Sequence, residues 1–339
     1  MKAIRVLKPD LLELQDIPEP HRHKGEVRIR IERVGICGSD MGIIRGLNPF
    51  VRYPITPGHE FSGRVMETDP DSDFTKGELV AVRPILTCGS CEGCLAQEQN
   101  HCMHLKVLGV HQDGAYAEQI ALPKEVVKKV PEGMSAEQAA LIEPTAVAVH
   151  INRRAQMASG KKVAVIGAGV IGNLVFQVSK AKGTDRILAI DRVEQRLPLA
   201  QEVGADWAIN SAEIDPITFA REHVGDGFDI VFDLVGTEAT AEQAIQMAKP
   251  GGTVVLIAVP HTQWFSFNYQ EVFRKELALV GSRLYDDRDF QEAISLLSSG
   301  QVQAERLVTH RLPLSQGIEA IELVRKQPDI AFKVMLEMD

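Results

Sequence analysis

The sequence predicts an α/β chain with a β-rich first domain and a second domain built on a doubly wound parallel sheet. Its 339 residues exceed the usual domain size of about 100–200 residues. Short runs with period-two alternation, such as 26–31, fill the first 150 residues, as half-buried strands do. After residue 150, apolar runs alternate with helix-length spacers, a pattern typical of strands covered on both faces.

The second domain contains six such apolar runs, which lie at 163–166, 187–190, 207–209, 230–234, 253–257 and 277–280. A helical pattern at 171–182 follows the first run, and Gly183 follows that pattern as a helix stop. Strands that alternate with helices in this way predict parallel, doubly wound topology. We therefore divide the chain into residues 1–150, 151–285 and 286–339.

Composition excludes several functional classes. The 37 basic and 46 acidic residues give a net charge of −9, which disfavours nucleic-acid binding because phosphate contacts need clustered basic residues. No apolar run reaches the ~18–20 residues of a membrane span. The first ten residues lack the apolar core of a secretion signal. We expect a cytoplasmic protein that acts on a small molecule, with neither nucleic acid nor membrane as a partner.

A glycine-rich motif joins the first strand of the second domain to its helix. Strand 163–166 runs directly into Gly167-Ala-Gly169-Val-Ile-Gly172. Gly167 permits a tight turn, Gly169 lets the backbone approach a pyrophosphate, and Gly172 lets the helix pack on the strand. The N-terminus of the helix then offers free N–H groups to the phosphates. The motif, in this context, predicts a dinucleotide site.

An acidic residue follows where such a site needs one. Asp191 comes nineteen residues after Gly172, at the end of strand 187–190. A carboxylate there binds the ribose hydroxyls of the adenosine and repels a 2′-phosphate, so NAD is expected rather than NADP. Arg192 follows immediately and weakens that preference.

All five cysteines precede residue 103, and four of them fall within fifteen positions, at Cys88, Cys91, Cys94 and Cys102. In a large cytoplasmic protein, clustered cysteines indicate a metal rather than disulfides. Four thiolates suit a tetrahedral zinc site with no open position, which is a structural site. An iron–sulfur cluster is the alternative, but the seven-residue gap before the last cysteine departs from the ferredoxin pattern.

The fifth cysteine, Cys37, belongs to a second constellation. His59 and Glu60 follow twenty-two residues later, and Glu143 supplies a further carboxylate. A thiolate, an imidazole and a carboxylate would hold zinc with one open position, as catalysis requires. Taken alone, a cysteine in a β-rich domain is usually explained by core packing and a His-Glu pair by a surface position, so only the joint pattern carries the interpretation.

Taken together, these motifs resemble the zinc-containing medium-chain alcohol dehydrogenase superfamily, in the expected order along the whole chain. The chain has glutamate rather than cysteine at position 143. In this respect it resembles the polyol branch of the superfamily, which includes sorbitol and threonine dehydrogenases. Segments 107–114 and 281–283 are more similar to bacterial sugar-acid oxidoreductases of the L-galactonate, L-gulonate and RspB type.

The resemblance implies a Rossmann domain inserted into a GroES-like catalytic domain, which segment 286–339 completes. It implies NAD and two zinc ions, one of them in a structural lobe at 86–104. The catalytic zinc should be held by Cys37 and His59, with Glu60 or Glu143 as the third ligand. Asp40 should orient the histidine. The expected cofactor-binding residues are Gly167, Gly169, Val170, Ile171, Gly172, Asp191, Arg192 and Arg196.

The implied reaction transfers a hydride from a secondary alcohol of a sugar acid or polyol to NAD. Zinc lowers the pKa of the substrate hydroxyl, and Ser39 can take its proton. Members of the family commonly continue this relay through a histidine where the present chain has Gly42, which leaves the proton exit open. The alternatives are a threonine or simple alcohol dehydrogenase and a non-catalytic NAD-binding zinc protein.

Substrate contacts are expected from the loop at 45–53 and from two further positions. A guanidinium could grip the carboxylate of a sugar acid with two hydrogen bonds, although exposed arginines are common on any surface. The candidates are Arg45, Phe50, Arg52, His111 and Arg283. We also expect a homodimer or homotetramer, formed where strands 253–257 and 277–280 pair across subunits at a sheet edge.

Overall fold

The computed structural model describes residues 1–258 and 264–338, which form two compact units. The first unit comprises Met1–Pro144, Asp286–Ser298 and Ala304–Asp339. The second comprises Thr145–Tyr285 and Ser299–Gln303. Most of the chain after residue 285 therefore belongs with the first unit. No described helix combines the length and the apolar character that crossing a membrane requires.

Strands dominate the first unit. They are β1 (Lys2–Lys8), β2 (Leu11–Asp16), β3 (Glu26–Ile36), β4 (Glu60–Glu67), β5 (Leu79–Val82), β6 (Ile85–Leu86), β7 (Lys106–Val107), β8 (Gln119–Pro123), β9 (Val127–Lys129), β16 (Val308–Pro313) and β17 (Lys333–Glu337). Its helices are α1 (Gly38–Ile44), α2 (Glu92–Leu95), α3 (Ala136–Ala140), α10 (Asp287–Ser298) and α11 (Gly317–Lys326).

A seven-stranded sheet with β3 near its centre organises this unit. The strand order is β16-β17-β3-β4-β5-β9, and β8 also pairs with β3. Alternate residues of β3, including Val27, Ile29 and Ile31, are fully buried in the core. Strand β17 pairs antiparallel with β3, with Met335 opposite Gly35, and so returns the end of the chain to the first domain. The remaining strands of this unit form two small two-stranded sheets, β1-β2 and β6-β7.

The second unit alternates strands and helices. After α4 (Ile142–Arg154) come β10 (Lys162–Ile166), α5 (Val170–Ala181), β11 (Arg186–Asp191), α6 (Leu197–Glu202), β12 (Trp207–Asn210), α7 (Pro216–His223), β13 (Phe228–Asp233), α8 (Glu238–Met247), β14 (Ala248–Leu256), α9 (Tyr269–Arg274) and β15 (Ala278–Gly281). Its six strands are all parallel, in the order β12-β11-β10-β13-β14-β15.

This topology confirms the predicted doubly wound sheet. The strand order reverses between β10 and β13, and in such sheets ligands bind outside the carboxyl ends of the strands at the reversal. Gly167 lies directly after β10, at that point. One expectation about assembly is wrong: β14, which covers the predicted 253–257 run, lies between β13 and β15. Both edges of β14 are already paired, so of the two strands named in that expectation only β15 has an unpaired edge among the described residues.

Candidate metal centre and dinucleotide site

The fold of the first unit brings Cys37, His59 and Glu60 together. Cys37 caps the N-terminus of α1, Glu60 opens β4, and His59 immediately precedes that strand. One ligand atom from each residue lies within 4.8 Å of the other two. His59 and Glu60 are buried, and Cys37 is half-buried. Sulfur, imidazole nitrogen and carboxylate oxygen are donors that zinc accepts, and their spacing lets them share one ion.

Glu143, the other predicted third ligand, is placed differently. It is buried in the first turn of α4 and belongs to the first unit. It does not belong to the described group whose donor atoms all lie within 4.8 Å of one another. The geometry therefore favours Glu60 as the third donor.

A lysine that the sequence analysis missed pairs with Glu60. Lys333 opens β17, is 2% exposed, and places its Nζ 2.5 Å from Glu60 Oε2. Its ammonium also donates to the carbonyl of Ile36 at 3.3 Å. Burial by itself lowers the pKa of Lys333, but Glu60 and the neighbouring anionic groups reverse this and raise it. The lysine is therefore charged and balances the buried carboxylate.

Asp40 is placed to orient the predicted histidine ligand. Its Oδ1 lies 3.4 Å from His59 Nδ1, while its Oδ2 accepts hydrogen bonds from the Cys37 N–H at 2.9 Å and the Tyr116 hydroxyl at 2.6 Å. Burial alone raises the pKa of Asp40, but His59 and these donors lower it overall. Burial likewise lowers the pKa of His59, and Asp40 and Cys37 together more than reverse the effect. The carboxylate thus faces Nδ1 at ion-pair distance without a hydrogen bond, which leaves Nε2 as the ring nitrogen for an ion.

Ser39 lies on the opposite side of the same imidazole. Its Oγ is 3.5 Å from His59 Nε2, in the first turn of α1. A hydroxyl there is close to whatever the histidine nitrogen binds. At Gly42, one turn further along α1, an added Cβ would meet no atom within 4 Å. The space directly around this position is thus open.

The four-cysteine cluster has the dimensions of a tetrahedral site. The Sγ atoms of Cys88, Cys91, Cys94 and Cys102 all lie within 4.8 Å of one another, and three of the pairs are 3.5, 3.6 and 3.9 Å apart. Zinc–sulfur bonds of about 2.3 Å give a tetrahedron with edges of about 3.8 Å. The four side chains therefore stand where a single zinc ion would hold them.

The surroundings of this cluster favour thiolate at one position and thiol at another. Backbone N–H groups of Ser90 and Cys91 lower the pKa of Cys88 to about 5. Burial raises the pKa of Cys94 to about 11. All five cysteines of the chain are free of disulfides. Metal binding would supply the positive charge that lets all four sulfurs ionise together.

The glycine-rich turn of the second unit has the geometry that its sequence predicts. Gly167 has φ +104°, which favours glycine, and a Cβ on Gly172 would lie 1.9 Å from the carbonyl oxygen of Gly167. A Cβ on Gly169 would meet nothing, so that face of the turn is open to a ligand. Val170 and Ile171 form the first turn of α5, whose N–H groups have no partner within the helix.

Asp191 is tied to this turn by its carboxylate. Its Oδ2 accepts a hydrogen bond from the Ala168 N–H at 2.8 Å, and its Oδ1 accepts one from the Val193 N–H at 2.9 Å. Arg196 lies 3.3 Å from the same carboxylate, and Arg192 is exposed beside it. The structure therefore brings together the turn, the acid and Arg196, while Arg192 adjoins the acid only as its neighbour in the chain.

The substrate candidates are only partly brought together. The rings of Phe50 and His111 stack with centroids 5.8 Å apart, and Phe50 is 67% exposed. Arg45 and Arg52 are exposed in the same unit, whereas Arg283 is exposed in the second unit. Phe50 and His111 thus form a pair that the sequence analysis named only as separate candidates.

Comparisons with known proteins find relatives along the whole chain. The family model "Alcohol dehydrogenase GroES-like domain" matches residues 23–132, and "Zinc-binding dehydrogenase" matches residues 170–299. A sorbitol dehydrogenase from Halalkalibacterium halodurans is 35% identical over 330 residues, which cover 95% of this chain and 94% of the relative.

Two further matches bear on the substrate and the cofactor. A 2-dehydro-3-deoxy-L-galactonate 5-dehydrogenase from Pseudoalteromonas atlantica is 35% identical over 294 residues, which cover 86% of this chain and 85% of the relative. The crystal structure of a short chain alcohol dehydrogenase (rspB) from E. coli CFT073, complexed with NADH, superposes with a TM-score of 0.93. It is 33% identical, and the match covers 99% of both chains.

Proposed function

This chain belongs to the zinc-containing medium-chain alcohol dehydrogenase superfamily, and we propose that it oxidises a secondary alcohol of a sugar acid or polyol with NAD. The reaction converts the alcohol and NAD to a ketone, NADH and a proton. The observation that carries the proposal is the convergence of Cys37, His59 and Glu60 within 4.8 Å. Zinc held by these residues would lower the pKa of a substrate hydroxyl.

The neighbouring residues have roles that follow from their positions. Asp40 faces His59 Nδ1 at 3.4 Å and would orient the ring, so that Nε2 is the nitrogen that would bind zinc. Ser39 Oγ, 3.5 Å from that nitrogen, accepts the proton of the substrate hydroxyl. Because Gly42 has no side chain to continue the relay, Ser39 passes the proton to solvent. Glu143 is kept as the alternative third ligand.

The sugar-acid substrate is supported by arginines and by the relatives. Arg45 and Arg52 are exposed in the unit that holds the metal centre, and a guanidinium binds a carboxylate with two parallel hydrogen bonds. The stacked pair of Phe50 and His111 offers an apolar face beside a polar group. Sorbitol and 2-dehydro-3-deoxy-L-galactonate dehydrogenases are among the relatives.

A substrate panel tests the proposal. NADH absorbance is followed with sorbitol, L-gulonate, L-galactonate, L-idonate and L-threonine, and zinc is counted in the same preparation. We expect two zinc ions per chain and the highest kcat/KM with a sugar acid. Arg52→Ala should lower kcat/KM about 10-fold or more for sugar acids and leave sorbitol unchanged, because a hydrogen bond to a charged group contributes about 1.5–3 kcal/mol. Turnover of threonine alone, or one zinc ion per chain, would contradict the proposal.

For the assembly we propose a homodimer formed through β15. The described residues end the sheet at this strand, and Ala278 and Leu279 are exposed. The opposite edge strand, β12, is half-buried. Exposed aromatic residues of the same unit add to the apolar surface: Trp264, Phe267, Tyr269 and Phe273. An unpaired apolar edge is a template for another strand, and two copies of one edge can pair about a twofold axis.

We also propose a cytoplasmic location, which the free cysteines support.

A further inference from the structure

We propose that Tyr116 is a positioning residue for the catalytic metal centre, holding His59 through two separate contacts, one on Asp40 and one on Gly58. The inference deepens the proposed function and rests on it, because it assumes that Cys37, His59 and Glu60 bind zinc. Nothing in the motifs pointed to this tyrosine, which is separated from Asp40 by 76 positions.

The first contact is made by the hydroxyl. The Tyr116 O–H donates to Asp40 Oδ2 at 2.6 Å, and both side chains have no exposed surface. The Cys37 N–H donates to the same oxygen at 2.9 Å. With Oδ2 held by two donors, the carboxylate presents Oδ1 to His59 Nδ1, 3.4 Å away. Removing the hydroxyl leaves Oδ2 with one of these two donors and frees the carboxylate to rotate.

The second contact is made by the aromatic ring against the backbone. Gly58, directly before His59, has φ +97°, and a Cβ at this position would lie 2.5 Å from Tyr116 Cδ1. The Tyr116 N–H donates to the carbonyl of Pro57 at 2.9 Å, and the Ala115 N–H donates to that of Gly58 at 2.9 Å. The ring therefore lies directly on the segment that delivers the histidine.

The two contacts have different chemical requirements. A phenylalanine would fill the same space and keep the ring on Gly58, so packing alone needs no hydroxyl. The hydroxyl is a buried polar group whose hydrogen bond goes to a carboxylate, and the carboxylate faces a metal ligand. Groups that orient a ligating histidine commonly change metal affinity 10–100-fold when they are lost. The hydroxyl acts one residue further out, so we expect an effect of about 10-fold.

The test measures zinc release from the full-length, zinc-loaded protein with a colorimetric chelator. The wild-type protein should release two zinc ions per chain in two phases, one from each site, and Cys37→Ser identifies the catalytic phase by its absence. Tyr116→Phe should accelerate the catalytic phase about 10-fold and leave the four-cysteine phase unchanged. Tyr285→Phe, which alters an equally buried tyrosine of the second unit, should change neither phase.

A second readout separates positioning from general loosening. In protein whose catalytic site carries Co²⁺, the visible absorption bands report ligand geometry, and Tyr116→Phe should shift them while Tyr285→Phe should not. If Tyr116→Phe released the catalytic zinc at the wild-type rate and showed the wild-type absorption bands, the inference would be overturned, but the proposed metal site would be unaffected. Acceleration of both zinc phases together would also overturn it, since that result indicates a global loss of stability. A wild-type protein with one zinc ion would instead overturn the proposed function.

Discussion

Buried charge around Glu60 sets the electrostatics of the metal centre at the residue scale. A carboxylate that is 1% exposed needs compensation, and Lys333 supplies it at 2.5 Å. The pair consists of two charges removed from water, so either one alone is costly. A zinc ion would share this carboxylate with the lysine, which ties the affinity of the site to the end of the chain.

Removing the ammonium tests this compensation. Lys333→Met should lower the free energy of unfolding by about 3–5 kcal/mol, because it leaves a buried carboxylate without its partner. Lys249→Met, which breaks an ion pair of a 39% exposed lysine with Asp229, should cost less than about 1 kcal/mol. Urea unfolding measures both losses in protein whose catalytic site has been emptied of zinc, so that no ion replaces the lysine as the partner of Glu60. Equal costs for the two variants would show that Lys333 does not compensate a buried charge.

Asp191 should decide between the two nicotinamide cofactors. Its carboxylate would face a 2′-phosphate, and Arg192 and Arg196 already lie beside it. Asp191→Asn keeps a side-chain acceptor for the turn but removes the charge. We expect the ratio of kcat/KM for NADP to that for NAD to rise about 100-fold, since juxtaposed like charges cost several kcal/mol.

The matched control for this prediction is Asp229→Asn. That carboxylate accepts a hydrogen bond from the Lys162 N–H at the opposite end of β10, so it has a similar structural role away from the turn. Its cofactor ratio should equal that of the wild-type protein. A wild-type enzyme that already prefers NADPH would contradict the role assigned to Asp191.

At the scale of elements, short segments present the chemistry. Helix α1 is capped by Cys37 and carries Ser39 and Asp40 in its first turn, so a ligand, a proton acceptor and an orienting carboxylate lie within four residues. Its partner is the start of β4, which holds His59 and Glu60 against it. A helix of only seven residues, together with its cap, therefore positions three functional side chains.

Gly42 is a position at which α1 can be stabilised. Glycine inside a helix costs roughly 0.5–1 kcal/mol relative to alanine, and here a Cβ would meet no atom within 4 Å. Gly42→Ala should therefore raise the free energy of unfolding by about that amount. Gly46→Ala should lower it, because Gly46 has φ +73° and a Cβ there would lie 2.7 Å from Pro9. Thermal unfolding compares the two, and a destabilised Gly42→Ala would show that the helix needs glycine at this position.

At the scale of the whole molecule, the described part of the chain leaves the outer edge of β15 without a paired strand. Strand β15 is apolar and exposed on both faces, and it ends the described sheet. Leu279→Arg places a charge on the proposed dimer contact, which should shift sedimentation from dimer to monomer. Ile209→Val, a core change in the other edge strand, should stay dimeric. A monomeric wild-type protein, or a Leu279→Arg variant that remains dimeric, would count against pairing through β15.

Local spacing determined most of the chemistry. The four-cysteine lobe and the glycine-rich turn with Asp191 can be predicted from the sequence, because metal tetrahedra and phosphate turns are built from residues at short, characteristic separations. Cys37 and His59 were predicted from their joint pattern, with Glu60 or Glu143 left open as the third ligand. The parallel sheet followed from alternating strands and helices, since each buried run implies cover on both faces.

Only the tertiary structure decided which groups complete these sites. Lys333 reaches Glu60 across 273 positions and Tyr116 reaches Asp40 across 76, and neither separation leaves a local pattern. The closer approach of Glu60 than of Glu143 to the other donors, and the burial of β14 between two strands, likewise depend on packing. Partners of a buried charge are chosen by the fold, because long-range contacts and desolvation arise only when distant strands meet.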